Sequence, residues 1–144
     1  MIVKQYADEN LNDLTRLMNQ WSSEVQYRTD EIENCIKQMR EKSENKIFIA
    51  QNEEGEAVGY VLAGICYYLG ANPFVEIIQL LVGEDYRSQG VGVMLVDHVC
   101  TYYKQQGISD IKLHSRVERE RAHHFYRAHG FKEFKQSKFF EKEL

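Results

Sequence analysis

Leu80-Leu81-Val82-Gly83-Glu84-Asp85-Tyr86-Arg87-Ser88-Gln89-Gly90-Val91-Gly92 is the stretch on which the reading of this chain turns. An apolar run ends at Val82, a short polar connection follows, and Arg87 to Gly92 opens a segment with helical spacing. That succession suits a diphosphate. Glycines at 90 and 92 let backbone approach a ligand closely, and consecutive amides from Ser88, Gln89, Gly90, Val91, Gly92 and Val93 point outward at a helix start. The positive end of the helix favours negative charge there. Taken alone, R-x-x-G-x-G admits other readings. A P-loop needs G-x-x-x-x-G-K-[ST], and the segment contains no lysine. A dinucleotide fingerprint needs a third glycine where Leu95 stands, although Asp110 lies near the expected distance downstream. A plain loop with capping glycines is the remaining alternative.

Working back from this segment, Phe74 to Val82 is apolar except at Glu76 and Gln79. It reads as a central strand buried on both faces. Lys46 to Gln51 and Ala57 to Leu69 flank the turn-rich Asn52-Glu53-Glu54-Gly55 and predict a hairpin. Further upstream, Ile2 to Tyr6 predicts a short strand. Leu11, Leu14, Leu17, Met18 and Trp21 predict a first helix, with Asp8 or Asn10 as its N-cap. Thr29 is the expected N-cap of a second helix with an apolar stripe of Ile32, Cys35, Ile36 and Met39.

Downstream, Val91, Leu95, Val99 and Tyr103 recur four apart in a helix from Gly90 to Gln106, stopped by Gly107. A strand at Asp110 to Ser115 precedes a last helix on which Ala122, Phe125, Tyr126 and His129 share a face, ending at Gly130. The tail from Phe131 to Leu144 is expected to form one or two closing strands. The order β-α-α-β-β-β-α-β-α-β, with a final optional β, is that of a mixed α/β sheet protein.

At 144 residues and with a single proline, Pro73, the chain is expected to form one domain over 1–144. The N-terminus has no charged region followed by an apolar one, so a cytoplasmic location is expected. The apolar run from Val58 to Leu69 falls short of the roughly 20 residues a membrane helix needs. Cys35, Cys66 and Cys100 are odd in number and far apart. They are expected to be core thiols rather than disulfides or zinc ligands.

A net charge of -4 disfavours a nucleic-acid binder. The charge is unevenly spread: residues 1–60 carry 7 basic and 12 acidic side chains, and residues 111–144 carry 9 basic and 5 acidic. This distribution fits a cationic substrate at one end and an anionic ligand at the other.

Two blocks together resemble the GNAT (Gcn5-related N-acetyltransferase) superfamily: Arg87 to Gly92 with its Tyr86-led approach, and Arg121-Ala122-His123-His124-Phe125-Tyr126-Arg127-Ala128-His129-Gly130-Phe131, similar to A-x-x-F-Y-x-x-x-G-F. The order of elements agrees, so the resemblance covers nearly the whole chain. It implies a mostly antiparallel sheet flanked by helices and acetyl-CoA as cosubstrate. It further implies direct transfer of the acetyl group to a primary amine, with no metal and no covalent enzyme intermediate. A catalytically silent acetyl-CoA sensor and a peptide or protein amine as acceptor stay open, as does a homodimer, which is common in the family.

By the same resemblance, Glu76, eleven residues before Arg87, takes the place of a general base whose pKa an apolar strand would raise. Tyr126 stands where a general acid protonates the coenzyme sulfur. The Leu80 amide would hold the thioester oxygen, with Leu81 and Val82 pairing to the pantetheine arm, and Ala122 lies in the coenzyme-facing motif. Where the family often has an asparagine, this chain has Arg119, a better fork for phosphate. The acceptor amine is expected beside Trp21, Glu24 and Tyr27 on the acidic loop between the first two helices, and beside Glu76. His123 and His124, about 100° apart on a helix, are expected at the surface and rim.

Overall fold

Alternation along each strand decides which side chains meet which helix layer, and the register carries this through the sheet. In the computed structural model, which describes residues 1–144, the chain divides into two compact units, Met1–His114 and Ser115–Leu144. The first holds the five-stranded sheet in spatial order β1 (Ile2–Gln5), β2 (Lys46–Gln51), β3 (Ala57–Cys66), β4 (Phe74–Val82) and β5 (Ile111–Leu113). Neighbours from β1 to β4 are antiparallel; β4 and β5 are parallel. A parallel return needs a long crossover. Helix α3 (Val91–Lys104) supplies it.

Ile47 and Ile49 of β2, Tyr60 of β3 and Leu81 of β4 are buried with Leu14 and Leu17 of α1 (Leu11–Met18) and Ile32 and Ile36 of α2 (Thr29–Lys42). Alternate residues serve the opposite face. Phe48 packs edge-on against His98 and Tyr102, and the Tyr103 hydroxyl donates to the Ala63 carbonyl at 3.2 Å. Gly59 explains how closely α3 approaches: a Cβ there would stand 3.2 Å from Leu95 and Val91 side-chain carbons and 3.0 Å from the Leu81 carbonyl oxygen.

Burial pushes the phenols of Tyr60 and Tyr103 up to about 12. Because the neutral form is favoured in the folded state, the stabilisation is fully present below pH 10 and is lost as pH rises toward 12. A series of urea titrations is therefore expected to show stability falling between pH 10 and 12. Tyr103→Phe should lessen that fall, and an identical slope in the variant would remove Tyr103 as a contributor.

The mixed α/β class and the mostly antiparallel sheet agree with expectation, while several details differ. Residues 129–144 form no strand, so the expected closing strands are absent; the second unit's one regular element is α4 (Glu120–Ala128). β3 stops at Cys66 and leaves Tyr67, Tyr68 and Leu69 exposed. Helix α1 ends at Met18, ahead of Trp21, and α2 is capped by Arg28 rather than Thr29. The Arg28 amide donates to Glu31 Oε2 at 2.8 Å, a carboxylate accepting at a helix start. Asn10 does stand at the N-cap of α1, but its Oδ1 accepts from the Ala7 amide instead of the helix.

The cysteines are not core thiols: Cys35 and Cys100 are exposed and Cys66 is half-buried, all three free. No helix is long and apolar enough to cross a membrane. No group of three or more His, Cys, Asp or Glu side chains is placed to hold a metal ion.

Strand β4 is the largest departure from expectation. Leu62 pairs with Gln79 and Ala63 with Ile77, so Ile78 is an extra residue, a bulge. Pairing with β5 covers Val75 to Ile77 and ends there. Beyond this fork β4 has β3 as its one neighbour, and the strand is not buried on both faces: Ile78 is exposed, and Leu80 and Val82 are half-buried. The bulge also resets the alternation. Glu76 and Gln79, opposite Gly64 and Leu62, lie on the same face of the sheet as Tyr60.

Candidate active site

At the end of β4 the Gly83 amide donates to the Val58 carbonyl at 2.8 Å, and a 3-10 turn over Glu84–Tyr86 leads to the predicted phosphate segment. Ser88 (φ 61°) and Gly90 (φ 82°) are both left-handed. Such residues coil a chain so that amides converge on a concave surface. Nothing lies within 4 Å of a Cβ built at Gly90, so its glycine answers a backbone need and not a steric one. The first amide to close a helical bond here is that of Met94, to the Gly90 carbonyl at 3.1 Å. Those of Val91, Gly92 and Val93 fall in the first turn, where a helix offers its donors outward. Arg87 Nε donates to the Val82 carbonyl at 3.3 Å and Gln89 Nε2 to the Asp85 carbonyl at 2.8 Å. Both exposed side chains thus brace the turn. Val91 is buried, and its side chain is an anchor for the helix.

On the face carrying α1 and α2, the Trp21 indole N–H donates to the Tyr60 hydroxyl. That hydroxyl also stands 2.9 Å from Met18 Sδ and 3.5 Å from Gln79 Oε1. Asn19 clamps the loop that follows. Its Oδ1 accepts from the Tyr27 amide at 2.6 Å, and its Nδ2 donates to the Tyr27 carbonyl at 3.1 Å. Trp21 and Tyr27 are half-buried and pack against the core, while Glu24 is exposed, with its amide bound to Ser22 Oγ. The structure therefore packs Trp21 and Tyr27 against the same core cluster and leaves Glu24 at the surface.

Glu76 is held on both carboxylate oxygens. Oε2 accepts from Cys66 Sγ at 3.1 Å, and Oε1 is 3.0 Å from His114 Nδ1. Burial, followed by the bond to Glu76, pushes the Cys66 thiol up to about 11, so this sulfur is a proton donor and not a thiolate nucleophile. Leu80 lies two residues past the bulge, where β4 has parted from β5, and Leu81 faces the α1 and α2 core.

The second unit carries Arg119, Ala122 and Tyr126. Arg119 is the N-cap of α4, and its carbonyl accepts from the His123 amide at 3.1 Å. His123 Nε2 lies 2.8 Å from the Arg116 carbonyl and His124 is exposed, in keeping with rim and surface. Ala122, Phe125 and Tyr126 are half-buried, while His129 lies exposed at the C-cap, off the expected stripe. The Tyr126 ring packs against Phe125 and Phe131, and its carbonyl accepts the Phe131 amide at 3.0 Å. Burial raises the Tyr126 phenol above its usual 10, with the Arg119 charge pulling the other way.

Sequence reasoning places none of Tyr60, Gln79, Asn19, Cys66 and His114 at a site: it reads Gln79 as a polar break in a buried strand and Cys66 as a core thiol. His114 is 38 positions from Glu76, and no local spacing links the two; the parallel pairing of β4 with β5 does.

Comparison with known proteins gives this geometry a context. Residues 9–131 match the Acetyltransferase (GNAT) family. An uncharacterized N-acetyltransferase of Methanocaldococcus jannaschii is 28% identical over 101 residues, 68% of this chain; the chain spans 44% of that relative's length. Among solved structures, apo aminoglycoside antibiotic 6'-N-acetyltransferase AAC(6')-IG from Acinetobacter haemolyticus superposes with a TM-score of 0.82 at 21% identity, covering 100% of this chain and 99% of that one. AAC(6')-Iy in complex with a bisubstrate analog, CoA-S-monomethyl-acetylneamine, gives 0.82 at 22% identity over 99% and 97%. At such identities these two structures speak for the fold. The sheet that forks at Ile77, the left-handed turn opening α3 and a family match through both units agree: the chain belongs to the GNAT acetyltransferase family.

Proposed function

We propose that this protein is an acetyl-CoA-dependent N-acetyltransferase that moves an acetyl group directly to a primary amine of a small cationic molecule. The observation that carries this reading is the turn at residues 87–93. Two left-handed residues and the first-turn amides of α3 form a cradle with the chemistry a diphosphate needs. The family match through residues 9–131 supports treating 1–144 as one acetyltransferase domain, and the free cysteines favour a reducing cytoplasm.

Acetyl-CoA supplies the activated thioester. In this reading the amides of Ser88 to Val93 hold its phosphates, with Arg87 and Arg119 adding positive charge. The open edge of β4 from Leu80 to Val82 orients the pantetheine arm, and the Leu80 amide polarises the thioester oxygen. Glu76 supplies the carboxylate on which amine deprotonation depends. Tyr126, kept protonated by burial, delivers a proton to the departing sulfur. Trp21 and Tyr27 offer ring faces to a cationic substrate, with Glu24 adding negative charge at the approach. The aminoglycoside acetyltransferases among the structural neighbours favour a small amine-bearing acceptor.

Calorimetry with acetyl-CoA and with NAD(H), followed by an assay of free-thiol release over a panel of amines, tests the assignment. Acetyl-CoA is expected to bind and to release thiol in an amine-dependent manner. Tighter binding of NAD would overturn the reading. Binding without turnover on any amine, peptide amines included, would make the protein a coenzyme sensor.

A further inference from the structure

Glu76 and His114 meet at the fork of the sheet. Glu76 pairs in register with Lys112, and His114 stands two residues on, just past the end of β5. Nδ1 of the imidazole lies 3.0 Å from Glu76 Oε1, while the other carboxylate oxygen takes the Cys66 thiol. The two side chains differ in access: 26% of the Glu76 side chain is exposed and 55% of His114. A carboxylate with a donor on each oxygen is poorly placed to accept a third proton in the open. A carboxylate facing Nδ1 instead selects the tautomer that carries its hydrogen there and leaves the lone pair on Nε2. It also stabilises the imidazolium once formed.

We propose that His114 is the base that deprotonates the acceptor ammonium, and that Glu76 is a positioning residue acting through it. The inference rests on the acetyl-transfer reading and assigns the proton in it. One N–H bond of the ammonium breaks, its proton bonds to His114 Nε2, and the electron pair stays on nitrogen to attack the thioester carbon. The imidazolium afterwards returns its proton to solvent. Cys66 from β3 and Lys112 from β5 are titratable groups that flank the pair. The Lys112 ammonium sits over the Phe74 ring at 4.3 Å, and the Cys66 thiol stays protonated at neutral pH. His114, the more exposed side chain of the two, is thus the member of the pair that an incoming amine can reach.

The test compares His114→Asn with wild type, using thiol release from the best amine of the panel as a function of pH. Asparagine keeps an N–H for Glu76 but accepts no proton. His114→Asn is expected to lower kcat/KM about a hundredfold or more near pH 7. Its rate should then follow the unprotonated fraction of the amine alone, and His114→Ala should recover rate on addition of imidazole. Glu76→Gln should reduce the rate by a smaller factor, since the imidazole remains. A wild-type rate and pH profile in His114→Asn would overturn the proposal while leaving the acetyl-transfer reading intact; a wild-type protein that turns over no amine would overturn both. Independently of turnover, 15N NMR of the wild-type imidazole is expected to show the Nδ1–H tautomer, and an Nε2–H tautomer would also sink it.

Discussion

Replacement of Tyr126 by phenylalanine is expected to lower kcat by about ten- to a thousandfold while leaving acetyl-CoA affinity unchanged, the signature of a lost general acid. The substitution suits the question because the ring, not the hydroxyl, makes the contacts. Tyr126 packs through its ring against Phe125 and Phe131, and its backbone carbonyl holds the Phe131 amide. Those contacts survive in phenylalanine. What disappears is a phenol that burial keeps protonated above pH 10, a group able to give its proton to a thiolate across the whole neutral range. The measurement is steady-state kinetics at saturating coenzyme beside a calorimetric affinity. An alkaline decline of kcat above pH 10 in wild type, absent in Tyr126→Phe, would mark the same proton. An unaltered kcat would remove Tyr126 from the chemistry.

The second large effect is expected at Gly90. With φ at 82°, this residue occupies a region that costs an L side chain about 1–2 kcal/mol, and a β-branched one more. Gly90→Val would relieve that strain by turning the backbone, and the amides that follow would no longer converge. Losing two charge-assisted bonds at about 1.5–3 kcal/mol each corresponds to a fall in acetyl-CoA affinity of about a hundredfold or more. Gly70 provides the control. It has φ 80° and, like Gly90, open space around a Cβ, but it lies in the loop between β3 and β4. Gly70→Val should therefore carry a similar backbone penalty, read as a lower urea midpoint, with coenzyme affinity retained. Equal losses of affinity in the two variants, or none at Gly90, would remove the turn from the binding site.

Much of the fold could be read from local patterns because local chemistry dictates them. The start of α3 rests on Gly90, whose backbone need is set within its own turn, and its end on Gly107, also left-handed at φ 82°. The hairpin between β2 and β3 rests on Asn52, whose Oδ1 accepts the Glu56 amide at 2.9 Å, and on Gly55 at φ 87°. The apolar spacing of α3 matches the buried set Val91, Leu95, Val99 and Tyr103. Readings failed where composition was used in place of neighbours. The tail from Phe131 to Leu144 has aromatic residues at strand-like density, yet Phe134, Phe139 and Phe140 lie exposed and unladdered. Cys35 follows the apolar stripe of α2 but lies exposed, because the inward face of the helix runs through Ile32, Ile36 and Met39.

By itself, then, the order of residues determined the mixed α/β class, most of the secondary elements, the glycine turn that opens α3 and the family, since each depends on contacts within a few positions of the chain or on spacing along it. The tertiary structure alone decided what surrounds Glu76. A one-residue bulge at Ile78 turns Glu76 onto the face it shares with Gln79 and Tyr60, and a three-residue parallel pairing delivers His114 to its carboxylate. Where a bulge falls, and which residue of a strand distant in sequence comes to lie opposite, depend on how the strands meet in space, so the side-chain pattern along one strand does not name them.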